Sequence, residues 1–357
     1  MIRAKPTYSS VTRMLNPEGR RGKLRLDKNE HTVGLPEEMV QDALNELTPE
    51  VLATYPEVRP LYAKLAKTLG VSEGNLMLAA GSDAGIKSLY EMFVSEGDQV
   101  VLLNPTYAMY PVYSKMFGAK VVGFGYSRDL SLDTDAIISA IGPGVSLVAI
   151  ANPNSPTGTV IEQEILLKIV DKARDSGAVA LIDEAYYPFY PHTIMPYIKE
   201  YDNLVVTRTF SKAYGLASLR LGYIAASESL IDLLMKTRPM YEVNGVAVHF
   251  GCYILDHLNV VDRYVQQVEE GKHYLEAEME ALGFYTYPTY ANFMLIRIED
   301  ERVRESISQH LAGLDILISG RQAPPLEECI RISLGPKEQM RVVAENIRYV
   351  VSVGGAK

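Results

Sequence analysis

Seven short apolar runs rich in β-branched residues recur at 75–80, 99–103, 120–124, 146–151, 179–182, 204–207 and 223–226. Between them lie longer stretches, among them 85–94, 107–117, 162–176 and 229–236, in which apolar positions return every three or four residues. A short, nearly continuous apolar run suits a strand covered on both faces, and the helical period between runs suits the elements that cover it. The alternation predicts the α/β class, with a mostly parallel seven-stranded sheet between layers of helix.

After about residue 245 the pattern changes to a long helix running through 274–282. Apolar runs at 285–298 and 316–334 follow, and together they read as a smaller α+β domain. The segment to about residue 35 is rich in Arg, Lys, Pro and Gly and suits an arm lying over another surface better than a core element. The expected organisation is residues 1–40 as arm and part of the small domain, 41–245 as the large domain and 246–357 as the small C-terminal domain. With 357 residues, 47% apolar and 22% charged, the chain can bury cores of that size and has no disordered or fibrous bias.

A net charge of -9 argues against a nucleic-acid surface and leaves room only for local anion pockets. No apolar run reaches the roughly 18 residues of a membrane span, and the first residues do not resemble a signal peptide, so a cytosolic protein is expected. Cys252 and Cys329 lack metal-ligand spacing, and neither a metal nor a disulfide is expected.

Open parallel sheets bind ligands beyond the carboxyl ends of their strands, so the residues after each run carry the information. Run 75–80 leads into Gly81-Ser82-Asp83-Ala84-Gly85, a helix start whose unpaired N–H groups suit a phosphate, although taken by itself the motif reads more simply as a plain Ser/Asp cap. Run 146–151 leads into Asn152-Pro153-Asn154-Ser155-Pro156-Thr157-Gly158, a loop stiffened by two prolines. Run 179–182 ends in Asp183, a carboxylate expected to be desolvated, with the phenol of Tyr186 three residues on. Run 204–207 leads to Thr209, Ser211, Lys212 and Arg220, where an amine nucleophile stands beside hydroxyls and a second cation.

Taken together, GSDAGI, NPTYAMY, ANPNSPTG, LIDEAYYPF and TFSKAYGLASLRLGY, in this order, resemble the fold-type I aminotransferases dependent on pyridoxal 5′-phosphate (PLP), and in particular the histidinol-phosphate aminotransferase family. The likeness spans nearly the whole chain. It implies that Lys212 carries the cofactor and serves as general base, and that Asp183 pairs with the pyridine nitrogen. It further implies that Asn154 and Tyr186 hydrogen-bond the ring hydroxyl and that Tyr107 stacks on the ring. The phosphate is expected on the N–H groups of Ser82 and Asp83, closed in by Thr209, Ser211 and Arg220.

The same resemblance implies a homodimer in which Tyr55, in ATYPE, reaches the neighbouring subunit's phosphate site. Arg331, in CIRISLG, matches the arginine that grips a substrate carboxylate, and Asn29, in LDKNEH, the asparagine beside the substrate. Two features depart from the family at the substrate end. Asn16-Pro17-Glu18-Gly19 lacks the arm tyrosine, and Arg321-Gln322-Ala323-Pro324-Pro325-Leu326 is a shorter loop than the one whose arginine faces the substrate phosphate.

The implied activity is transfer of an amino group between an amino acid, glutamate by family habit, and a small, possibly phosphorylated, keto compound. Two alternatives stay open: a decarboxylase resembling threonine-phosphate decarboxylase, and a non-catalytic PLP-binding module. Carbon dioxide among the products would mark the first, and full biological activity without Lys212 the second. Tyr62, Tyr110, Tyr187, Tyr190 and Tyr241 read as packing residues among 23 tyrosines.

Overall fold

The computed structural model describes residues 5–9, 11–12, 19–320 and 322–354. Among these residues twelve strands run in chain order: β1 (Leu24–Leu26), β2 (Leu76–Ala79), β3 (Gln99–Asn104), β4 (Lys120–Gly125), β5 (Val145–Ala151), β6 (Val179–Asp183), β7 (Leu204–Thr209), β8 (Gly222–Ala226), β9 (Tyr285–Thr286), β10 (Phe293–Arg297), β11 (Ile316–Ile318) and β12 (Cys329–Ser333). Each of the seven apolar runs is a strand, and all seven form one sheet in the order β2-β8-β7-β6-β5-β3-β4. Only β8 runs against its neighbours β2 and β7; the other pairs are parallel.

Period-two alternation assigns the sheet's side chains to two cores. Val148, Ile150, Ala180 and Ile182 face one, and Leu147, Ala149, Val179 and Leu181 face the other. Both faces are therefore covered, which is why β6, β7 and β8 are buried at every position. Because β8 alone is reversed, the carboxyl ends of β2, β3, β5, β6 and β7 emerge along one edge of the sheet. Gly222, which opens β8 at that edge, has no room for a side chain: a Cβ there would lie 2.4 Å from the Ser82 nitrogen. The start of helix Ser82–Phe93 is thereby pressed against the strand.

A third core belongs to the C-terminal part, where β9, β10 and β12 form an antiparallel sheet packed by helices Leu258–Ala281, Glu301–Gly313 and Lys337–Gly354. The N-terminal segment does more than lie on a surface. Its Leu24–Leu26 pairs in parallel with β11, and Leu26 is fully buried in this third core, because Leu24 and Leu26 flank the outward Arg25. Helix Gly245–Asp256 buries Val248, Phe250 and Ile254 with the large sheet. Along the next helix Val261 packs with the first core and Tyr264, Val268 and Leu275 with the third. Val265 again packs against the first core, so this helix touches both bodies.

Candidate active site

Gly81 leaves β2 with φ of 80°, a left-handed turn that starts helix Ser82–Phe93 with no side-chain cap. The guanidinium of Arg220 lies against that turn, and a Cβ on Gly81 would meet its Nη2 at 2.4 Å. Arg220 Nη1 donates to Ser211 Oγ at 3.3 Å, and Thr209 Oγ1 donates to Ser211 Oγ at 2.9 Å. The result is a nest of N–H groups, hydroxyls and one cation at a positive helix end, an arrangement suited to an anion. Asp83 is the acid in that first turn, and Tyr107 donates a 3.3 Å hydrogen bond to its Oδ1.

On the far side of the same cavity, about 150 Å³ in volume, stand Asp183, Tyr186 and Lys212. Lys212 is half-buried and its Nζ donates to the Lys28 carbonyl at 3.1 Å. Desolvation brings its pKa down to about 8; the Arg331 and Arg220 cations push the same way, while Glu30 and Asp183 oppose them. Asp183, the last residue of β6, is 3% exposed. Burial raises its pKa to about 6, although hydrogen bonds from Tyr110 and Thr207 favour its charge. It has no ion-pair partner among the described residues.

Tyr186 is buried, and its hydroxyl accepts a 2.9 Å hydrogen bond from the Asn29 carboxamide. Asn29 also donates its backbone N–H to Ser333 Oγ at 2.8 Å, which binds this segment to β12. Arg331 sits on β12 with Nη2 donating to the Asp27 carbonyl at 2.9 Å and its carbon 5.5 Å from the centre of the Phe293 ring. Its Nε is buried with no hydrogen-bond partner among the described residues.

The remaining sequence-derived residues are placed differently. Asn154 stands one layer behind the cavity wall, where Nδ2 donates to the Pro105 carbonyl and Thr157 Oγ1 and Oδ1 accepts from Thr106; its neighbour Ser155 lines the cavity instead. Tyr55 is 73% exposed, stacks on Tyr241 at 4.1 Å and does not line the cavity of its own chain. Arg321 and residues 16–18 of the arm lie outside the described residues. Sequence reasoning missed Tyr110 and Thr207, both fully buried and both bonded to Asp183. The signal was available for Thr207, which sits opposite Asp183 in the register of β6 and β7.

These groups fit PLP. A donor-lined anion nest matches a phosphate, a buried carboxylate without an ion pair matches a cationic ring nitrogen, and a lysine with lowered pKa matches an aldehyde.

The chain belongs to the class I and II aminotransferases: the model of the family described as "Aminotransferase class I and II" matches residues 21–347. It is a PLP-dependent aminotransferase. Among individual proteins it is 34% identical to the histidinol-phosphate aminotransferase of Clostridium novyi (strain NT), over 92% of this chain and 91% of that protein. It is likewise 34% identical to the histidinol-phosphate aminotransferase of Pyrococcus furiosus, over 87% and 88% of the two chains. The fold matches a crystal structure of histidinol-phosphate aminotransferase from Sinorhizobium meliloti in complex with pyridoxal-5′-phosphate, with a TM-score of 0.87, 23% identity and coverage of 99% and 98%.

Proposed function

We propose that this enzyme moves an amino group between glutamate and the keto counterpart of histidinol phosphate. The sustained 34% identity with histidinol-phosphate aminotransferases over 92% of the chain carries this reading. Bound PLP supplies an aldehyde that condenses with amines and a ring that withdraws electrons from the substrate's Cα. Everything else in the reading is the work of this chain's side chains.

Lys212 would hold the cofactor covalently and, once released as a free amine, would carry the proton from the substrate's Cα to the cofactor's C4′. A pKa near 8 leaves an appreciable fraction of that amine unprotonated just above neutral pH. Asp183 would keep the ring nitrogen protonated, and Tyr107, which lines the same cavity, would stack on the ring. The first N–H groups of helix Ser82–Phe93, with Thr209, Ser211 and Arg220, hold the phosphate. Tyr186 donates to the ring hydroxyl, and Asn154 supports the same position from its place behind Ser155. Arg331 takes the donor's carboxylate in a two-pronged grip beside Asn29. Arg321 is assigned to the substrate phosphate from its position in the sequence.

The same reading makes the protein a cytosolic homodimer in which Tyr55 completes the neighbouring phosphate site. The exposed cluster of Leu52, Tyr55 and Met240 supports it, at 70%, 73% and 82% exposure, as an apolar patch suited to a partner. Among the described residues no helix is long and apolar enough to cross a membrane.

The test is a half-reaction followed by absorbance. The PLP-loaded protein is mixed with L-glutamate and, separately, with histidinol phosphate. Conversion to the pyridoxamine form by both supports the proposal. Conversion by glutamate alone removes histidinol phosphate and keeps the aminotransferase, and release of carbon dioxide would point to the lyase.

A further inference from the structure

We infer that Tyr110 and Thr207 are the positioning residues of the Asp183 carboxylate, one hydroxyl for each oxygen, and that together they keep the charge on Asp183 and the proton on the cofactor's ring nitrogen. The inference rests on the assignment of Asp183 to that nitrogen.

The geometry divides the two donors cleanly. Tyr110 Oη donates to Oδ2 at 2.9 Å, and Thr207 Oγ1 donates to Oδ1 at 3.0 Å. The Ala185 backbone N–H also bonds the carboxylate, and since each oxygen carries two acceptor positions, room remains for a ligand in the cavity. Neither donor can swing away. Thr207 is paired with Asp183 across β6 and β7, and Tyr110 is fully buried in helix Met109–Phe117 with its ring edge-on to Tyr107 at 5.8 Å. Rotating that ring would open a cavity in the second core, which Tyr110 helps to fill.

The electrostatic setting explains why two donors are needed. Desolvation works against the charge on Asp183, and the Asp83 carboxylate adds repulsion. The phenols of Tyr107 and Tyr186 also face it, and Lys212 is the ammonium nearby. Two hydroxyls, joined by the Ala185 backbone N–H, therefore stand against burial and a second acid. Removing either one makes Asp183 more basic, and in a carboxylate–pyridinium pair a more basic carboxylate draws the shared proton off the ring. The ring then withdraws electrons less strongly, and proton removal from Cα slows.

The experiment loads wild type, Tyr110→Phe, Thr207→Val and Thr207→Ser with PLP labelled with 15N in the ring, and reads the nitrogen's chemical shift at pH 7.5. Wild type and Thr207→Ser give the protonated-ring shift. Tyr110→Phe and Thr207→Val move toward the neutral-pyridine shift, and kcat falls roughly tenfold or more with KM for glutamate little changed, as expected for loss of a hydrogen bond to a charged group. Thr207→Val keeps the shape of the side chain, so it guards against a folding failure in Tyr110→Phe. An unchanged ring shift in a folded Thr207→Val would overturn the inference while leaving the aminotransferase intact. A wild-type protein that takes up no PLP would overturn both.

Discussion

The carboxamide of Asn29 donates a 2.9 Å hydrogen bond to the hydroxyl of Tyr186, joining residues 157 positions apart in the chain. Asn29 comes three residues after β1 of the small core, whereas Tyr186 follows β6 of the large sheet, so the bond ties the two bodies together at the active site. Asn29 adopts φ of 56°, a left-handed conformation that asparagine tolerates better than most residues. Asn29→Ala should destabilise the protein by about 1–3 kcal/mol, from the loss of one of the two side-chain hydrogen bonds of a buried hydroxyl, the other being to Ser155, and from a strained backbone. Asn29→Gly should recover the backbone share alone. Denaturant unfolding of the three proteins separates the two contributions, and equal stability of the Ala and Gly variants would remove the backbone one.

Asp183 gives a prediction whose sign follows from its raised pKa. A carboxyl that titrates near 6 when folded and near 3.8 when unfolded contributes stability that is present below about pH 3.8 and lost as the pH rises through about 6. At pH 7 the cofactor-free protein therefore carries an unfavourable buried charge. Asp183→Asn should raise its unfolding temperature at pH 7, with roughly 3 kcal/mol as the upper bound, and the gain should shrink toward pH 4. Thermal scans of the cofactor-free proteins at both pH values check this, and a variant less stable than wild type at pH 7 would contradict it.

Gly81 is a tight point of the candidate anion site. Gly81→Ala places a methyl group against the Arg220 guanidinium and forces φ of 80° on a residue with a Cβ. PLP affinity should fall at least about tenfold, equivalent to 1.4 kcal/mol, with little change in the sheet's circular dichroism. Titration of the cofactor-free variant with PLP measures it, and wild-type affinity would move the phosphate elsewhere.

Arg331 separates substrate binding from cofactor binding. Arg331→Lys keeps the charge and loses the planar fork, so KM for glutamate should rise roughly tenfold to a hundredfold while PLP affinity stays at the wild-type value. Steady-state kinetics beside a PLP titration reads both. A parallel loss of PLP would assign Arg331 to the cofactor.

The seven-stranded sheet was legible because its strands are buried on both faces and leave nearly continuous apolar runs; β6 is Val-Ala-Leu-Ile-Asp with every residue buried. The site was legible for a related reason, since its polar residues follow those runs directly. Tyr110 was not legible. A tyrosine in an amphipathic helix reads as packing, and only the tertiary position of helix Met109–Phe117 shows its hydroxyl reaching Asp183. Strand Leu24–Leu26 was hidden by its length and by its basic neighbours, because three residues are too few to establish a period. Asn154 was found by its place after β5, but the inward turn of its carboxamide toward Pro105 and Thr157 depends on the loop's three-dimensional course.

The attachment point of the cofactor tests the central claim most directly. The purified protein, saturated with PLP, is reduced with borohydride, digested and mapped by mass spectrometry. The mass of a reduced pyridoxyl phosphate should fall on Lys212 and on no other lysine, and it should be absent from Lys212→Ala treated in the same way. A stable adduct on a different lysine, or none on the wild-type protein, would contradict the assignment of this cavity as the site of amino-group transfer.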